Sequence, residues 1–407
     1  MSKPCPLFVP QGFRREERQP FDKLGANGYG AAHVRSFPRF RMTGLLPEGF
    51  DDRLPPLADV AARIERGVLG VARGYGYEQV DPPLAEFEDE LSARLKAGGA
   101  RGAVRFVDPV SQRNLAIRPD ITAQVGRIAA TRMGHHPRPL RLSYAGPVLK
   151  LRGSDLSPAR AMRQLGIELI GLDSVAAARE VVSVAVEALA GAGIDAVSID
   201  FTLPDLIPTL AQGWPDARLA ELRDALDAKD AGRVAAIDAR YLPLIAAAGP
   251  FDAAIERLRA HDAGGALASR IDGLSQIASA LPAGIALTLD PTERHGFEYQ
   301  SWFGFSIFAG GALREIGRGG SYVVMHADGR EEPAVGMSLF LDPVLGTLAR
   351  SPERRRLFLP LGTDPAEGAR LRGEGWVTVA ALEAADTPEA QLCTHVWLRG
   401  QAELAGV

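Results

Sequence analysis

The sequence predicts an α+β fold: one sheet interrupted by a helical insert and followed by a small α/β tail. Three observations carry this. Strand-like runs fall into two groups, one before residue 203 and one after residue 284. The segment between them, 204–283, is rich in Ala, Leu, Arg and Asp with helical periodicity, as in Asp216–Ala228 and Ala253–His261. The last stretch alternates strand, helix and strand in the manner of a βαβ unit.

Residues 1–41 are rich in Pro, Gly and Arg, with no apolar core of a signal and no clear period. They read as a disordered tail or as a non-native extension, since Met42 begins a plausible start. From Leu57 to Gly74, apolar residues at Val60, Ile64, Val68 and Val71 make one helical face, stopped by Gly74 and Gly76. Tyr77–Pro83 is extended. Residues 104–117 form a hairpin turning around Asp108–Asn114. Pro119 and Asp120 suit the start of a helix over Ala123–Met133. Val175–Ala192 is helical and Val197–Phe201 is a strand. After the insert come strands at Ile285–Leu289, Phe297–Phe308 and Met337–Leu341, with a glycine-rich turn, Gly317-Arg318-Gly319-Gly320, between the last two. The tail holds strands at Leu357–Leu361, Val377–Ala381 and His395–Leu398 and a helix around Ala366–Arg372. The expected boundaries are therefore 1–41 as extension, 42–203 with 284–349 as core, 204–283 as insert and 350–407 as tail.

Length and composition fit a globular chain of two or three domains with a large core. Formal net charge is −4; the first 41 residues carry a surplus of +5, which leaves −9 on the rest. A body that acidic is poorly suited to gripping a polyanion, because phosphate contacts dominate nucleic-acid affinity. Cys5 and Cys393 lie near opposite ends without a CxxC or a Cys/His cluster, which points to a reducing, cytoplasmic compartment and away from zinc. His135-His136 sits in a Gly/Pro loop and reads as a surface turn. No apolar run is long enough to span a membrane.

The stretch Arg141–Gly171 is the centre of the functional reading. In its second half Gln164, Gly166 and Glu168 alternate with Leu165, Ile167 and Leu169. As a strand, this presents an amide and a carboxylate flanking a glycine, a polar shelf with room above it. A buried carboxylate is costly unless a cation or donor meets it, so the shelf suggests a polar ligand. The same spacing fits a helix with Gln164 and Glu168 at i,i+4, or a solvated edge strand. The turn signals Ser157-Pro158 and Gly171-Leu172-Asp173-Ser174 favour the short strand.

Five blocks in order, Asp51–Pro83, Leu115–Arg127 (LAIRPDITAQVGR), Arg141–Gly171, Glu293–Phe308 and Gly317–Pro343, resemble the core of a class II aminoacyl-tRNA synthetase of the histidyl branch. That resemblance implies an antiparallel sheet flanked by helices, with the insert where that branch has one. It also implies a free-histidine pocket made by Asp120, Thr122, Gln164, Glu168 and Tyr299. Carboxylates there meet the ligand's ammonium, and Glu168 with Tyr299 hydrogen-bonds the imidazole nitrogens. Asp120 and Thr122 also fit a helix cap, and Tyr299 fits a half-buried strand.

The nucleotide-handling positions depart from that pattern. An expected arginine is Lys150, another is replaced at His295, and a third falls at Pro343. Proline supplies no donor, and lysine lacks the planar fork that binds phosphate oxygens in pairs. Each lost donor to developing charge costs ~10²–10³ in rate. About 64 residues follow Pro343, fewer than the roughly 100 of a common domain. With these departures the chain resembles the regulatory subunits of ATP phosphoribosyltransferase. Membership implies a noncatalytic role in histidine biosynthesis and assembly with a short-form catalytic subunit, for which a hetero-octamer is the family form. It also implies feedback by L-histidine and self-dimerisation through Asp51–Pro83. Lys150 and His295 join the candidate pocket, and no cofactor, metal or nucleic acid is expected. Gln300 stands where the synthetase pattern has a second tyrosine. The rival readings are an active histidyl-tRNA synthetase and a synthetase-like amino-acid or RNA sensor.

Overall fold

A computed structural model of the chain describes residues 46–93, 102–153, 158–194, 196–293, 300–309, 315–343, 345 and 355–406. The expected first helix forms as α1 (Leu57–Gly74), with Val60, Ala61, Ile64, Val68 and Ala72 buried along one stripe. There follow β1 (Glu78–Gln79), β2 (Ala85–Phe87), α2 (Glu88–Ala93), the hairpin strands β3 (Val104–Val107) and β4 (Asn114–Ile117), and α3 (Thr122–Thr131). β5 (Leu140–Leu149) and β6 (Ala161–Ile170) pair antiparallel from end to end. α4 (Val175–Gly191) starts at Ser174, whose hydroxyl accepts from the Ala177 amide at 3.2 Å.

The second half of the chain begins with β7 (Val197–Thr202). The segment read as an insert carries α5 (Leu206–Leu210), α6 (Asp216–Asp227), α7 (Ala231–Asp238), α8 (Leu242–Ile245), the two-residue β8 (Gly249–Pro250), α9 (Phe251–His261) and α10 (Ala268–Ser279). Four strands follow: β9 (Ala286–Leu289), β10 (Gln300–Ala309), β11 (Glu315–Met325) and β12 (Glu331–Phe340). The tail consists of β13 (Arg356–Leu359), α11 (Pro365–Gly373), β14 (Val377–Ala380), β15 (His395–Leu398) and β16 (Gln401–Leu404).

Among the described residues nine strands join in one sheet, ordered β1-β5-β6-β12-β11-β10-β7-β9-β8. Its centre is antiparallel, and the pairs β1–β5 and β7–β9 are parallel. β2, β4 and β3 make a small separate sheet, and the tail has its own, with β13 parallel to both β14 and β15.

The sheet has apolar matter on both faces. On one, Leu165, Ile167 and Leu169 pack into a core shared with α1, α4 and the helices of 204–283. Full burial of such side chains contributes roughly 1.5–3 kcal/mol each. On the other, Leu142, Tyr144, Tyr322 and Ala334 pack with Ile121, Ala123 and Val125 from the start of α3. α10 is seated on the sheet by Trp302: a methyl on Gly273 would meet its ring, and Val175, at 3.2 Å. The Trp302 indole donates to Asp173 Oδ1 at 2.7 Å.

One expectation is overturned. Gly317-Arg318-Gly319-Gly320 is not a turn but the middle of β11, paired to β12 on one side and β10 on the other. Its glycines serve close packing rather than chain reversal. A methyl on Gly319 would meet the Gly336 carbonyl at 2.5 Å and the Phe305 ring at 2.6 Å, and one on Gly317 would meet the Ser338 carbonyl at 2.8 Å. β12 also starts at Glu331, six residues earlier than expected, and β16 was not foreseen.

Candidate functional site

The alternation in β6 holds: Gln164, Gly166 and Glu168 face the α3 side, away from the Leu165–Ile167–Leu169 core. Register places Tyr144 of β5 and Ser338 of β12 on either side of Gly166, and Gly336 beside Glu168. These glycines make the room that the side chains fill. A methyl on Gly166 would collide with the Tyr144 hydroxyl, and one on Gly336 with the Glu168 carboxylate. The shelf therefore lacks the open space expected above Gly166, because Tyr144 occupies it.

Asp120 and Thr122 come to this shelf from the start of α3. Asp120 Oδ1 accepts from the Thr122 amide at 2.7 Å, as a group at a helix start does. Its Oδ2 accepts from Gln164 Nε2 at 2.9 Å. Gln164 Oε1 accepts from the Ile121 amide at 2.9 Å, so the amide is oriented by the helix it faces. Gln164 Nε2 also donates to Ser338 Oγ at 2.8 Å. The Tyr144 hydroxyl lies 3.0 Å from Ser338 Oγ and 3.1 Å from Thr122 Oγ1, and donates to Glu168 Oε1 at 3.0 Å. The Tyr322 hydroxyl donates to Glu168 Oε2 at 2.7 Å. Four of the expected residues, Asp120, Thr122, Gln164 and Glu168, thus share one network.

Exposure is uneven across it. Gln164, Tyr144 and Glu168 are sealed, with Glu168 only 1 % exposed, whereas Asp120 keeps accessible surface. Burial pushes the Glu168 carboxyl up to about 8, opposed by the hydrogen bonds from Tyr322 and Tyr144. Burial also raises the Asp120 carboxyl, opposed by Thr122, Gln164 and the nearby Lys150.

Lys150 lies exposed just past β5, its ammonium 5.9 Å from the Phe340 ring centroid. Desolvation and the charge of Arg318 lower its pKa, while Asp120 and Glu315 pull the other way. Arg318 itself is paired to Glu315, with Nη2 to Oε2 at 2.9 Å. Pro343 lies partly exposed in a helical turn after β12. His295 and Tyr299 lie outside the described residues.

Sequence reasoning missed Tyr144, Ser338, Tyr322 and Phe340. The parity of β5 would have found Tyr144; the mistaken turn at 317–320 hid Tyr322. Beneath the site Arg118, 2 % exposed, donates to the Pro82 carbonyl at 2.7 Å, the Pro147 carbonyl at 2.8 Å and Gln124 Oε1 at 3.2 Å. Among the described residues no group of three or more His, Cys, Asp or Glu could hold a metal, and no helix is long and apolar enough to cross a membrane.

Known proteins share this build. The profile of the histidyl-tRNA synthetase family matches residues 49–344. The solved structure of an ATP phosphoribosyltransferase regulatory subunit/histidyl-tRNA synthetase from Bacillus halodurans superposes with a TM-score of 0.71 at 21 % identity, covering 86 % of this chain and 96 % of that one. The histidyl-tRNA synthetase of Nostoc superposes equally well, at 0.71 and 15 % identity, over 88 % and 92 % of the two chains. At those identities the likeness is one of fold, and it establishes the class II histidyl-tRNA-synthetase-like architecture. The ATP phosphoribosyltransferase regulatory subunit of Rhodospirillum centenum is 44 % identical over 372 residues, 88 % of this chain and 96 % of the relative. That of Paramagnetospirillum magneticum is 42 % identical over 86 % and 95 %. The chain belongs to the family of ATP phosphoribosyltransferase regulatory subunits, built on a histidyl-tRNA-synthetase-like core.

Proposed function

We propose that this chain is the noncatalytic regulatory subunit of ATP phosphoribosyltransferase. It acts with a short-form catalytic subunit in the first step of L-histidine biosynthesis, and it carries the histidine signal that inhibits that step. The observation that carries the reading is identity of 36–44 % over most of the chain to relatives bearing this name. The synthetase-like fold does not by itself favour aminoacylation. Lys150 in place of a phosphate-gripping arginine and Pro343 in place of a second favour a regulator.

In this reading free histidine occupies the site at Asp120, Thr122, Gln164 and Glu168, bordered by Lys150, with His295 and Tyr299 completing it. The ligand's ammonium, a cation with three donors, matches the acidic side of the network. The core dimerises through Asp51–Pro83, and the assembly with the catalytic subunit is a hetero-octamer in the cytoplasm without nucleic acid. Residues 42–203 with 284–349 form the core, 204–283 an insert and 350–407 a shortened tail. Feedback is linkage: histidine shifts the assembly only by binding one arrangement more tightly than another.

The test mixes the chain with a short-form catalytic subunit and follows product formation with and without histidine. Stimulation by the chain, and inhibition that weakens in Asp120→Asn while stimulation persists, is the expected result. Absence of stimulation defeats the reading, and histidine-dependent ATP–pyrophosphate exchange by the purified chain would replace it with a synthetase.

A further inference from the structure

The turn between α6 and α7 has a form that favours glycine, yet it holds a lysine. The Asp230 amide donates to the Ala225 carbonyl at 2.9 Å and the Lys229 amide to the Leu226 carbonyl at 3.0 Å. This pair of bonds ends a helix on a left-handed residue. Lys229 is that residue, with φ at +53°. A Cβ crowds the backbone in this conformation, which is why glycine usually fills the place. A lysine near a helix C-terminus ordinarily serves the last carbonyls. Here the ammonium turns to another element: Nζ donates to Asp290 Oδ1 at 2.7 Å and to Thr292 Oγ1 at 2.6 Å, both in the turn after β9. A costly backbone conformation that carries a specific long-range contact marks a position where the contact matters.

The turn that Lys229 reaches is tied to β7 at both ends. The Asp290 amide donates to the Phe201 carbonyl at 2.9 Å, and the Thr202 hydroxyl donates to the Glu293 carbonyl at 2.7 Å. Between these ties Asp290 Oδ1 accepts from the Thr292 amide and hydroxyl, each at 3.1 Å. The carboxylate and the buried threonine thus present one joint acceptor to the ammonium. Without it, Asp290 loses its cation and the Thr292 oxygen its donor. Glu293 is followed directly by residues 294–299, which include His295 and Tyr299.

We infer that Lys229 is a positioning residue. Reaching out of the 204–283 segment, it fixes the Asp290–Glu293 turn from which residues 295 and 299 follow in sequence. It thereby sets the affinity for histidine without belonging to the network around Glu168. This rests on the histidine reading of the site and extends it to a residue of the helical segment.

Three variants of the full chain separate the roles of this side chain. Lys229→Met loses the ammonium and keeps the strained backbone, Lys229→Gly loses both, and Lys229→Arg keeps a cation. In calorimetric titration with free histidine, Lys229→Met and Lys229→Gly should each bind about tenfold more weakly, through lost preorganisation, and Lys229→Arg should stay within about threefold of wild type. In urea, Lys229→Gly should outlast Lys229→Met, because glycine adopts positive φ without strain. A merely structural lysine predicts that affinity follows stability, with the glycine variant binding better than the methionine one. Hydrogen exchange of the 286–293 peptide, read by mass spectrometry, should quicken about tenfold in both. If wild type binds histidine and Lys229→Gly binds it as tightly, or the peptide exchanges at the wild-type rate in both variants, the inference is overturned and the histidine reading stands. If wild type binds no histidine, the histidine reading falls and takes the inference with it.

Discussion

The Tyr144 hydroxyl sits over Gly166 and hands its proton to Glu168 Oε1 at 3.0 Å, so that a tyrosine of β5 fills the space that a bare glycine of β6 leaves. The pair shows how this sheet tolerates a carboxylate in its interior. Tyr144 supplies a donor from the adjacent strand β5 and Tyr322 one from β11, beyond β12; Thr122 approaches from α3, and Asp120 adds a like charge at longer range. Desolvation still dominates, and the carboxyl titrates far above its usual range.

A pH dependence of stability follows from that raised pKa. Titrating at about 8, Glu168 binds its proton more tightly folded than unfolded. Its contribution is therefore complete below the usual carboxylate range, declines as pH rises, and is gone above about 8. Each tenfold gain in proton affinity on folding is ~1.4 kcal/mol, so the effect amounts to a few kcal/mol. Glu168→Gln lacks this titration. Urea unfolding from pH 5 to 9 should show the stability difference, variant minus wild type, rising in favour of the variant and levelling off above pH 8. A difference independent of pH contradicts the assignment.

The glycines separate into two kinds with opposite expected signs. At Gly166 a methyl has nowhere to go, being hemmed by Tyr144 and by the Met337 carbonyl at 2.5 Å. Gly166→Ala should cost about 1–3 kcal/mol or more and weaken histidine binding through displaced Tyr144. At Gly70, inside α1, a methyl would meet nothing within 4 Å. Gly70→Ala should stabilise the isolated chain by about 0.5–1 kcal/mol, read from the urea midpoint at unchanged slope.

Arg118 is expected to matter for stability rather than for ligand recognition. Its guanidinium is buried and gives protons to two proline carbonyls and to Gln124, tying the segment before β2 to β5 and α3. Arg118→Ala strands the buried acceptors on Pro82 and Gln124, each at about 1–3 kcal/mol, and frees the Pro147 carbonyl to water. Thermal melting should fall sharply. Arg118→Lys should recover little, because one ammonium cannot span the three sites that a planar fork reaches.

Much of this was legible in the sequence, for identifiable reasons. α1 and α4 bury regular stripes, and β6 alternates cleanly, so periodicity found them and put Gln164 and Glu168 on one face. The glycines of β11 failed the same reading. Composition marks Gly317-Arg318-Gly319-Gly320 as a turn, whereas the cause is tertiary: Phe305 and the β12 backbone press too closely for side chains. With β11 misread, Tyr322 could not be placed next to Glu168. Nor does a sequence reveal that Tyr144 fills the room above Gly166, since cross-strand register is set by the paired strands together.

The seat of α10 on the sheet supplies the last test, at Gly273 and Trp302. A methyl added at Gly273 would meet the indole at 3.2 Å, tighter than ordinary van der Waals contact, and the indole N–H is fixed by Asp173 at 2.7 Å. Gly273→Leu forces the ring away and breaks that hydrogen bond, at an expected cost of about 1–3 kcal/mol. In a background where Trp214, Trp376 and Trp397 are phenylalanine, Trp302 emission should shift to the red and acrylamide quenching should increase. Asp173→Asn, which keeps the packing and retains an acceptor for the indole, should leave both nearly unchanged. Equal quenching in wild type and Gly273→Leu would mean that α10 does not depend on this contact for its place on the sheet.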